Sequence, residues 1–232
     1  MSTFVLVHGA WHGGWCWQRV APLLRACGHD VYSPTLTGLG ERAHLACLGV
    51  NLVTHVSDVV GVIEAEGLKD VVLVGHSYGG FVVRGVADRI GSAIKTLVYL
   101  DAFVPDHGKG MIDYVPPERR AGFEQSGKSK GAFDPMPLEP FGVTSPEDLA
   151  WAQPRLRPQP LATFLEPLTL MGGASSAKHV FIRCTEPAFP TFEGFAQRAK
   201  ADPTWTYLEV TGGHDSMISN PKGLADVLLR LA

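Results

Sequence analysis

The chain has 232 residues, of which 45% are hydrophobic and 19% charged, with a formal net charge of −3. That is enough apolar side chain to bury a core, and the length suits one α/β domain carrying an insertion. The faintly acidic balance leaves no basic face for phosphates, which argues against nucleic acid as a partner, and no apolar run approaches the roughly 18 residues of a membrane span. No cationic leader with a small-residue cleavage site precedes the first apolar run. The four cysteines, Cys16, Cys27, Cys47 and Cys184, show no Cys-x-x-Cys pairing. A cytoplasmic protein with no metal site is therefore expected, and Cys27 and Cys184 read as buried thiols.

Phe4-Val5-Leu6-Val7 is a continuous apolar run, the pattern of a strand covered on both faces. It stops at His8-Gly9-Ala10, and a loop rich in glycine and tryptophan (Trp11, Trp15, Trp17) follows. Val20, Leu23, Leu24 and Cys27 recur at helical spacing, with Gly28 as the stop. A short strand over residues 30–33 closes at Pro34, and residues 35–40 form a turn-rich loop. Apolar residues at Val56, Val59, Val60 and Ile63 mark a second helix over residues 52–68. A strand over 71–74, a helix over 81–90 and a strand over 94–100 come next. This β-α-β-α alternation predicts a mostly parallel, doubly wound sheet of about six strands.

The rhythm breaks near Phe103. From 103 to 177 the chain is proline-rich, with helical phrases only at 113–123 and 146–153. A structureless loop of that length is improbable in a compact domain, so it reads as a small inserted helical cap, with residues 1–102 and 178–232 as the core. The alternation then resumes: strand 179–184, helix 191–201, strand 205–210, loop 211–219 and closing helix 221–231.

Between the third strand and its helix stands Gly75-His76-Ser77-Tyr78-Gly79-Gly80. A Gly-x-Ser-x-Gly there is a nucleophile elbow, which lifts the Ser77 hydroxyl above the sheet on a sharp turn. A hydroxyl is a poor nucleophile at neutral pH and needs a base, and the base needs an acid to orient it. His214, in a Gly-Gly-His-Asp loop after the last strand, fits the base. Two carboxylates compete for the acid. Asp101 closes an apolar strand and so sits at the carboxyl edge of the sheet, where ligands bind; it is preferred. Glu186, at the end of the next core strand, is the alternative, while Asp215 adjoins His214 too closely in sequence to orient it. The oxyanion hole needs two backbone N–H groups, expected from Ala10 and Tyr78. His76 should point away from the nucleophile, and His8 and His12 should be structural or pocket-lining. Apolar residues of the insertion (Met111, Tyr114, Phe123, Phe133, Phe141, Phe164, Leu165, Met171) either line a pocket or pack the insertion onto the sheet. No substrate-binding residue is singled out.

With these residues in place, the sequence resembles the α/β-hydrolases of the plant methylesterase and hydroxynitrile lyase type, in a bacterial esterase branch. The resemblance spans nearly the whole chain. It rests on residues 4–15, on Pro34-Thr35-Leu36-Thr37-Gly38-Leu39-Gly40-Glu41-Arg42, on the elbow, on Gly212-Gly213-His214 and, more loosely, on Arg157-Pro158-Gln159-Pro160-Leu161. It implies hydrolysis of small carboxylic esters without a metal or organic cofactor, with Ser77 as nucleophile, His214 as base, and Ala10 and Tyr78 as oxyanion donors. Two departures stand out. The family usually carries its aspartate one residue beyond the position of Glu186, and here that residue is Pro187; Tyr99-Leu100-Asp101-Ala102 instead resembles the haloalkane dehalogenases, whose acid lies at this strand end. Gly9 and Asp215 occupy the positions of a threonine and a lysine in the hydroxynitrile lyases, which disfavours cyanohydrin cleavage. Carbamate or amide hydrolysis by the same mechanism is the alternative activity, and a ligand receptor on a hydrolase fold is the non-enzymatic one.

Overall fold

Strands that are apolar at every position must be covered on both sides. The computed structural model, which describes residues 1–173 and 175–232 with the side chains of Arg119 and Ser126 excepted, covers them by helices on each face. In chain order the elements are β1 (Thr3–Val7), α1 (Ala21–Ala26), β2 (Asp30–Tyr32), α2 (Leu52–Ala65), β3 (Val71–His76), α3 (Gly79–Ile90) and β4 (Ile94–Leu100). Then come α4 (Pro117–Lys130), β5 (Ala132–Phe133), α5 (Pro146–Ala152), β6 (Gln159–Pro160), α6 (Ala162–Leu165), β7 (Lys178–Cys184), α7 (Glu193–Ala201), β8 (Trp205–Val210), α8 (Ser216–Ser219) and α9 (Pro221–Leu229).

Six strands form one parallel sheet in the order β2-β1-β3-β4-β7-β8. Alternate residues feed two cores. Val5, Val7, Leu73, Leu97, Tyr99 and Phe181 pack beneath α2, α3 and α7. Phe4, Leu6, Val72, Val74, Val98 and Ile182 pack against α1 and α9 on the other face. From β1 the chain moves outward to β2 and then crosses back to β3, so the strand order reverses between β1 and β3. In open parallel sheets the crevice above such a reversal is where ligands bind.

The two loops that cross this crevice interlock. The His8 Nδ1–H donates to the Gly9 carbonyl (2.8 Å), and Nε2 accepts the Leu36 N–H (3.1 Å). The Thr35 hydroxyl accepts the Gly14 N–H and donates to Glu41. Thr37 is fixed by both oxygens of Asp58 on α2. His8 is fully buried, and its pKa is lowered to about 3 by that burial, so it serves as a neutral strut.

Some elements differ from the expectation. The helix expected from 113 starts at Pro117, after a 3-10 turn over Met111–Tyr114. Pro116 is held extended (ψ 134°) by the proline that follows, so one helix cannot run through both segments. Gly131 ends α4 in the left-handed region (φ 69°). The loop over 211–219 contains the short turn α8. Cys27 is exposed rather than buried, and Leu23 is also largely exposed, because α1 presents only a narrow stripe to the sheet. Ala174, within the expected insertion, lies outside the described residues.

Gly80, in the first turn of α3, packs directly on the chain leaving β4: a Cβ there would lie 2.0 Å from the Phe103 carbonyl oxygen. Gly61, on the exposed face of α2, has nothing within 4 Å of such a Cβ. Gly80→Ala should therefore destabilise the fold by about 1–3 kcal/mol or more, while Gly61→Ala should stabilise it by about 0.5–1 kcal/mol. Urea unfolding of the two variants beside the wild type checks the pair. Equal midpoints would refute the close approach at Gly80.

Candidate active site

The turn after β3 puts Ser77 at φ +55°, a conformation that side chains rarely adopt. The Ser77 N–H donates to the Leu100 carbonyl (3.3 Å), and the Ser77 carbonyl accepts the Phe103 N–H (3.2 Å). The end of β4 thus holds the turn in place. Ser77 is half-buried and lines a cavity of about 520 Å³ above the crevice.

His214 lines the same cavity, 3% exposed. Its Nδ1–H donates to Asp101 Oδ2 at 2.8 Å, which leaves Nε2 without a proton in the neutral ring and able to accept one. Its faces are walled by aromatic rings: Phe192 stacked at 4.8 Å and 11°, Phe189 at 5.4 Å, and Phe141 at 5.3 Å. The loop carrying it is tied down from two sides. His76 Nε2–H donates to the His214 carbonyl (3.0 Å), and the Asp215 N–H donates to the Phe141 carbonyl (3.0 Å). His76, expected only to face away from Ser77, is thus a neutral support for the His214 loop, its pKa pushed well down by burial.

Asp101 is fully buried, at φ +40° just past β4. Its N–H donates to the Ile182 carbonyl (2.8 Å), and its second oxygen, Oδ1, accepts from Arg183 Nη1 (2.6 Å) and the Cys184 N–H (3.4 Å). Glu186 is exposed and makes no contact with His214 among the described residues; its backbone N–H donates to the Gly212 carbonyl (3.0 Å). The chain therefore brings His214 to Asp101 and not to Glu186.

Ala10 and Tyr78 both line the cavity, and neither backbone N–H meets an acceptor among the described residues. The neighbouring Trp11 N–H, by contrast, donates to Gln159 Oε1 (3.1 Å). Trp11 itself sits at φ +65° and anchors its ring nitrogen on the Phe133 carbonyl, while Trp17 is wholly buried in the core. The Tyr78 hydroxyl donates to His55 Nδ1 (3.0 Å), whose Nε2–H donates to the Thr37 carbonyl (2.9 Å). Burial lowers the His55 pKa to about 4, so that ring is neutral.

Met111, Tyr114, Phe123, Phe141 and Phe164 line the cavity. Phe133 does not; it packs behind Phe123 at 4.2 Å. Leu165 is half-buried away from the cavity, and Met171 is 83% exposed. Three site residues were not singled out from the sequence, Arg183, Phe189 and Phe192, and Asp215 was weighed there only as the acid and set aside. Arg183 had a readable signal, because a charge inside the apolar strand Val180-Phe181-Ile182-Arg183-Cys184 needs a buried partner.

Asp215 is a second fully buried carboxylate beside the base. His12 Nε2 lies 3.3 Å from its Oδ2, and His76 Nε2 lies 3.6 Å from its Oδ1. Neither oxygen has a well-directed hydrogen bond among the described residues, so the contact with His12 is an ion pair. Burial alone would raise the Asp215 pKa, but the adjoining His12 outweighs it and brings the value down to about 2. Burial would likewise lower His12, and the Asp215 charge overcomes it and raises the His12 pKa above its ordinary value. The His12 Nδ1–H donates to the Ala10 carbonyl (2.7 Å), so the pair braces the turn that carries the free Ala10 N–H.

Residues 4–227 match the family described as "Alpha/beta hydrolase family". Over 242 aligned positions the chain is 47% identical to the carbendazim hydrolyzing esterase of Nocardioides sp. (strain SG-4G), with 100% of each chain covered. It is 31% identical to methylesterase 1 of Arabidopsis thaliana, over 99% of this chain and 95% of the other. It is also 31% identical to salicylic acid-binding protein 2 of Nicotiana tabacum, over 99% and 96%. Among solved structures, an extracellular alpha/beta-hydrolase from a Paenibacillus species superposes with a TM-score of 0.87 at 27% identity, covering 99% of this chain and 98% of that one.

The ion pair predicts a pH signature. The Asp215 contribution to stability is fully present above its ordinary 3.8 and is lost as pH falls through about 2. The His12 contribution is fully present below its ordinary 6.5 and is lost as pH rises through its raised folded value. The stability gap between the wild type and Asp215→Asn should therefore be widest between those two ordinary values and narrow on either side. Thermal unfolding of both proteins across pH 3–9 reads it. A gap that does not vary with pH would mean the pair is not ionised.

Proposed function

The chain belongs to the alpha/beta hydrolase family, and from that premise we propose that its carboxylesterase chemistry runs through Ser77, His214 and Asp101. It is a serine hydrolase that cleaves carboxylic esters through an acyl-enzyme. The assignment of roles is carried by one observation: the 2.8 Å contact of His214 with Asp101 in the cavity that Ser77 also lines.

As the Ser77 oxygen attacks the ester carbonyl carbon, His214 Nε2 takes its proton. The imidazolium that forms is stabilised by Asp101 Oδ2. The carbonyl oxygen gains charge as the carbon becomes tetrahedral, and the Ala10 and Tyr78 N–H groups donate to it. Collapse expels the alcohol, which takes its proton from His214 and leaves the acyl group on Ser77. Water, deprotonated by the same Nε2, then releases the acid and restores Ser77.

Residues 103–177 act as a cap over this chemistry. Their aromatic side chains, with Phe189 and Phe192 of the core, make the cavity mostly apolar, so it fits a small neutral ester with an aromatic or aliphatic acyl group. The partner is thus a small molecule. We place the enzyme in the cytoplasm, where free cysteines such as the exposed Cys27 and Cys47 stay reduced. No helix among the described residues is long and apolar enough to cross a membrane.

Carbamates and amides follow the same steps, and the 47% identical relative, named for hydrolysing carbendazim, makes that compound a substrate to test beside simple esters. Cyanohydrin cleavage is disfavoured by space and by charge. A Cβ at Gly9 would lie 2.9 Å from the Ser77 Cβ and 2.8 Å from His76 Nδ1, which leaves no room for a threonine. Where the lyases carry a lysine, this chain buries the anionic Asp215. A receptor would have no need of a serine, its base and two unpaired N–H groups converging on one cavity.

Purified wild type should hydrolyse p-nitrophenyl acetate. Ser77→Ala should abolish the enzymatic turnover, and Asp101→Asn should lower kcat by about 10²–10⁴-fold. Glu186→Gln should stay within about twofold of the wild type, as expected for an exposed side chain outside the site. Turnover by Ser77→Ala equal to wild type would overturn the esterase assignment, and a larger loss in Glu186→Gln than in Asp101→Asn would move the acid. Carbendazim, assayed in parallel, ranks the alternative substrate class.

A further inference from the structure

Leu100 pairs with Ile182 across the β4–β7 ladder, so Asp101, just past β4, lies beside Arg183, which is still within β7 and pairs with Glu209 of β8. The Arg183 side chain is 4% exposed and has three acceptors. Nη1 donates to Asp101 Oδ1 (2.6 Å), and Nη2 donates to the Phe189 carbonyl (3.0 Å) and to Glu193 Oε2 (3.2 Å). We infer that Arg183 is a positioning residue for the ester-cleaving reaction: one guanidinium orients the triad carboxylate and, through Phe189, the aromatic wall of the base. The inference rests on the assignment of Ser77, His214 and Asp101 made above.

The argument begins with the carboxylate. Asp101 has two equivalent oxygens and a short side chain, and in a dry pocket it must satisfy both. Were only one engaged, by His214, the group could turn about its last bond and carry the imidazole with it. Arg183 and the Cys184 N–H occupy Oδ1, so Oδ2 is the oxygen left for His214 Nδ1. The second link is the wall. Phe189, whose carbonyl the same guanidinium holds, stacks on the imidazole at 28°, and Phe192, three residues on, stacks at 11°. The in-plane partner of the base and its face-on neighbours are thereby fixed by one rigid planar cation, a geometry that the single ammonium of lysine does not reproduce.

Stability is a poor explanation for this arrangement, because a buried ion pair seldom outperforms apolar residues of similar volume. The charges around it are few. Asp101 faces Arg183 and His214; Arg183 faces Asp101 and, toward solvent, Glu193; His214 faces Asp101, His76 and Asp215.

The test is steady-state hydrolysis of p-nitrophenyl acetate by the wild type, Arg183→Lys, Arg183→Met, Asp101→Asn and the double variant Asp101→Asn/Arg183→Met. Fold is verified for each by circular dichroism. Arg183→Met should lose about 10²-fold in kcat, the scale expected when a reacting group is misplaced by about an ångström, with KM within about twofold. Arg183→Lys should recover part of that loss. In the Asp101→Asn background, adding Arg183→Met should change kcat by less than about twofold, because the residue acts through the carboxylate. That double variant leaves no unpaired buried carboxylate, so if Arg183→Met does not fold, a loss in the double variant overturns the inference and the loss is read from Arg183→Lys, whose full kcat overturns it as well. Full kcat in Arg183→Met, or a loss that is the same in both backgrounds, would overturn the inference alone. A wild type that neither turns over nor is labelled at Ser77 by a fluorophosphonate would overturn the serine-hydrolase assignment and this inference with it.

Discussion

The backbone turn at Ser77 is the constraint on which the upper half of the molecule depends. A non-glycine residue in the left-handed region costs about 1–3 kcal/mol, and such a turn persists only where its neighbours leave no alternative. Here they are the end of β4, which accepts the Ser77 N–H through Leu100, and the chain after it, whose Phe103 N–H returns to the Ser77 carbonyl. The second strained residue, Asp101, lies between those two contacts and is held in turn by Ile182 on β7. Strain at Ser77 and strain at Asp101 are thus linked in series across three adjacent strands. The parallel sheet provides that linkage, because only the carboxyl ends of neighbouring parallel strands finish on the same side.

Two buried carboxylates flank the base, and their surroundings separate them. Asp101 meets His214 along the ring plane and has a guanidinium behind it. Asp215 meets His12, its backbone fixed by Phe141. Sequence proximity favours Asp215 as a neighbour of His214, yet a residue one step along a loop cannot turn its side chain back onto the preceding ring. Chain distance, 113 residues for Asp101, is no obstacle once the strands are in register. The same reasoning disposes of Glu186, which follows β7 by two residues and has already left the sheet edge for solvent.

Much of this was legible in the residues. Apolar runs located the four inner strands, because a strand covered on both faces admits few polar residues, and the alternation of strand and helix located the edge strands β2 and β8. The elbow was readable because its strand, turn and helix signals coincide, and Asp101 because a charge directly after an apolar strand must emerge at the edge. What stayed illegible depends on packing. The inserted segment has no period to read, so its first long helix was placed four residues early, and three of its eight apolar candidates turned out to face elsewhere. Phe189 and Phe192 follow a Glu-Pro turn with no local pattern, and only the fold brings them to His214. Cys27 was misjudged because helical spacing tells which residues share a face without telling how wide a stripe that face buries.

Gly142 and Gly213 touch backbone to backbone: a Cβ on either would come within 2.5 Å of the other's Cα. One follows the Glu139–Phe141 turn between α4 and α5, and the other belongs to the loop that carries His214. With the Asp215 N–H bonded to Phe141, the middle of the insertion is mechanically part of the base's own mount. A displacement of the Phe141-Gly142 backbone would therefore displace the loop that holds the imidazole against Asp101. A motion that opened the cavity without moving His214 would have to leave Phe141 and Gly142 in place. The stretch around α4 meets the cavity through Glu118, Gly122 and Phe123, while the Phe141-Gly142 pair is tied to the loop of His214 underneath.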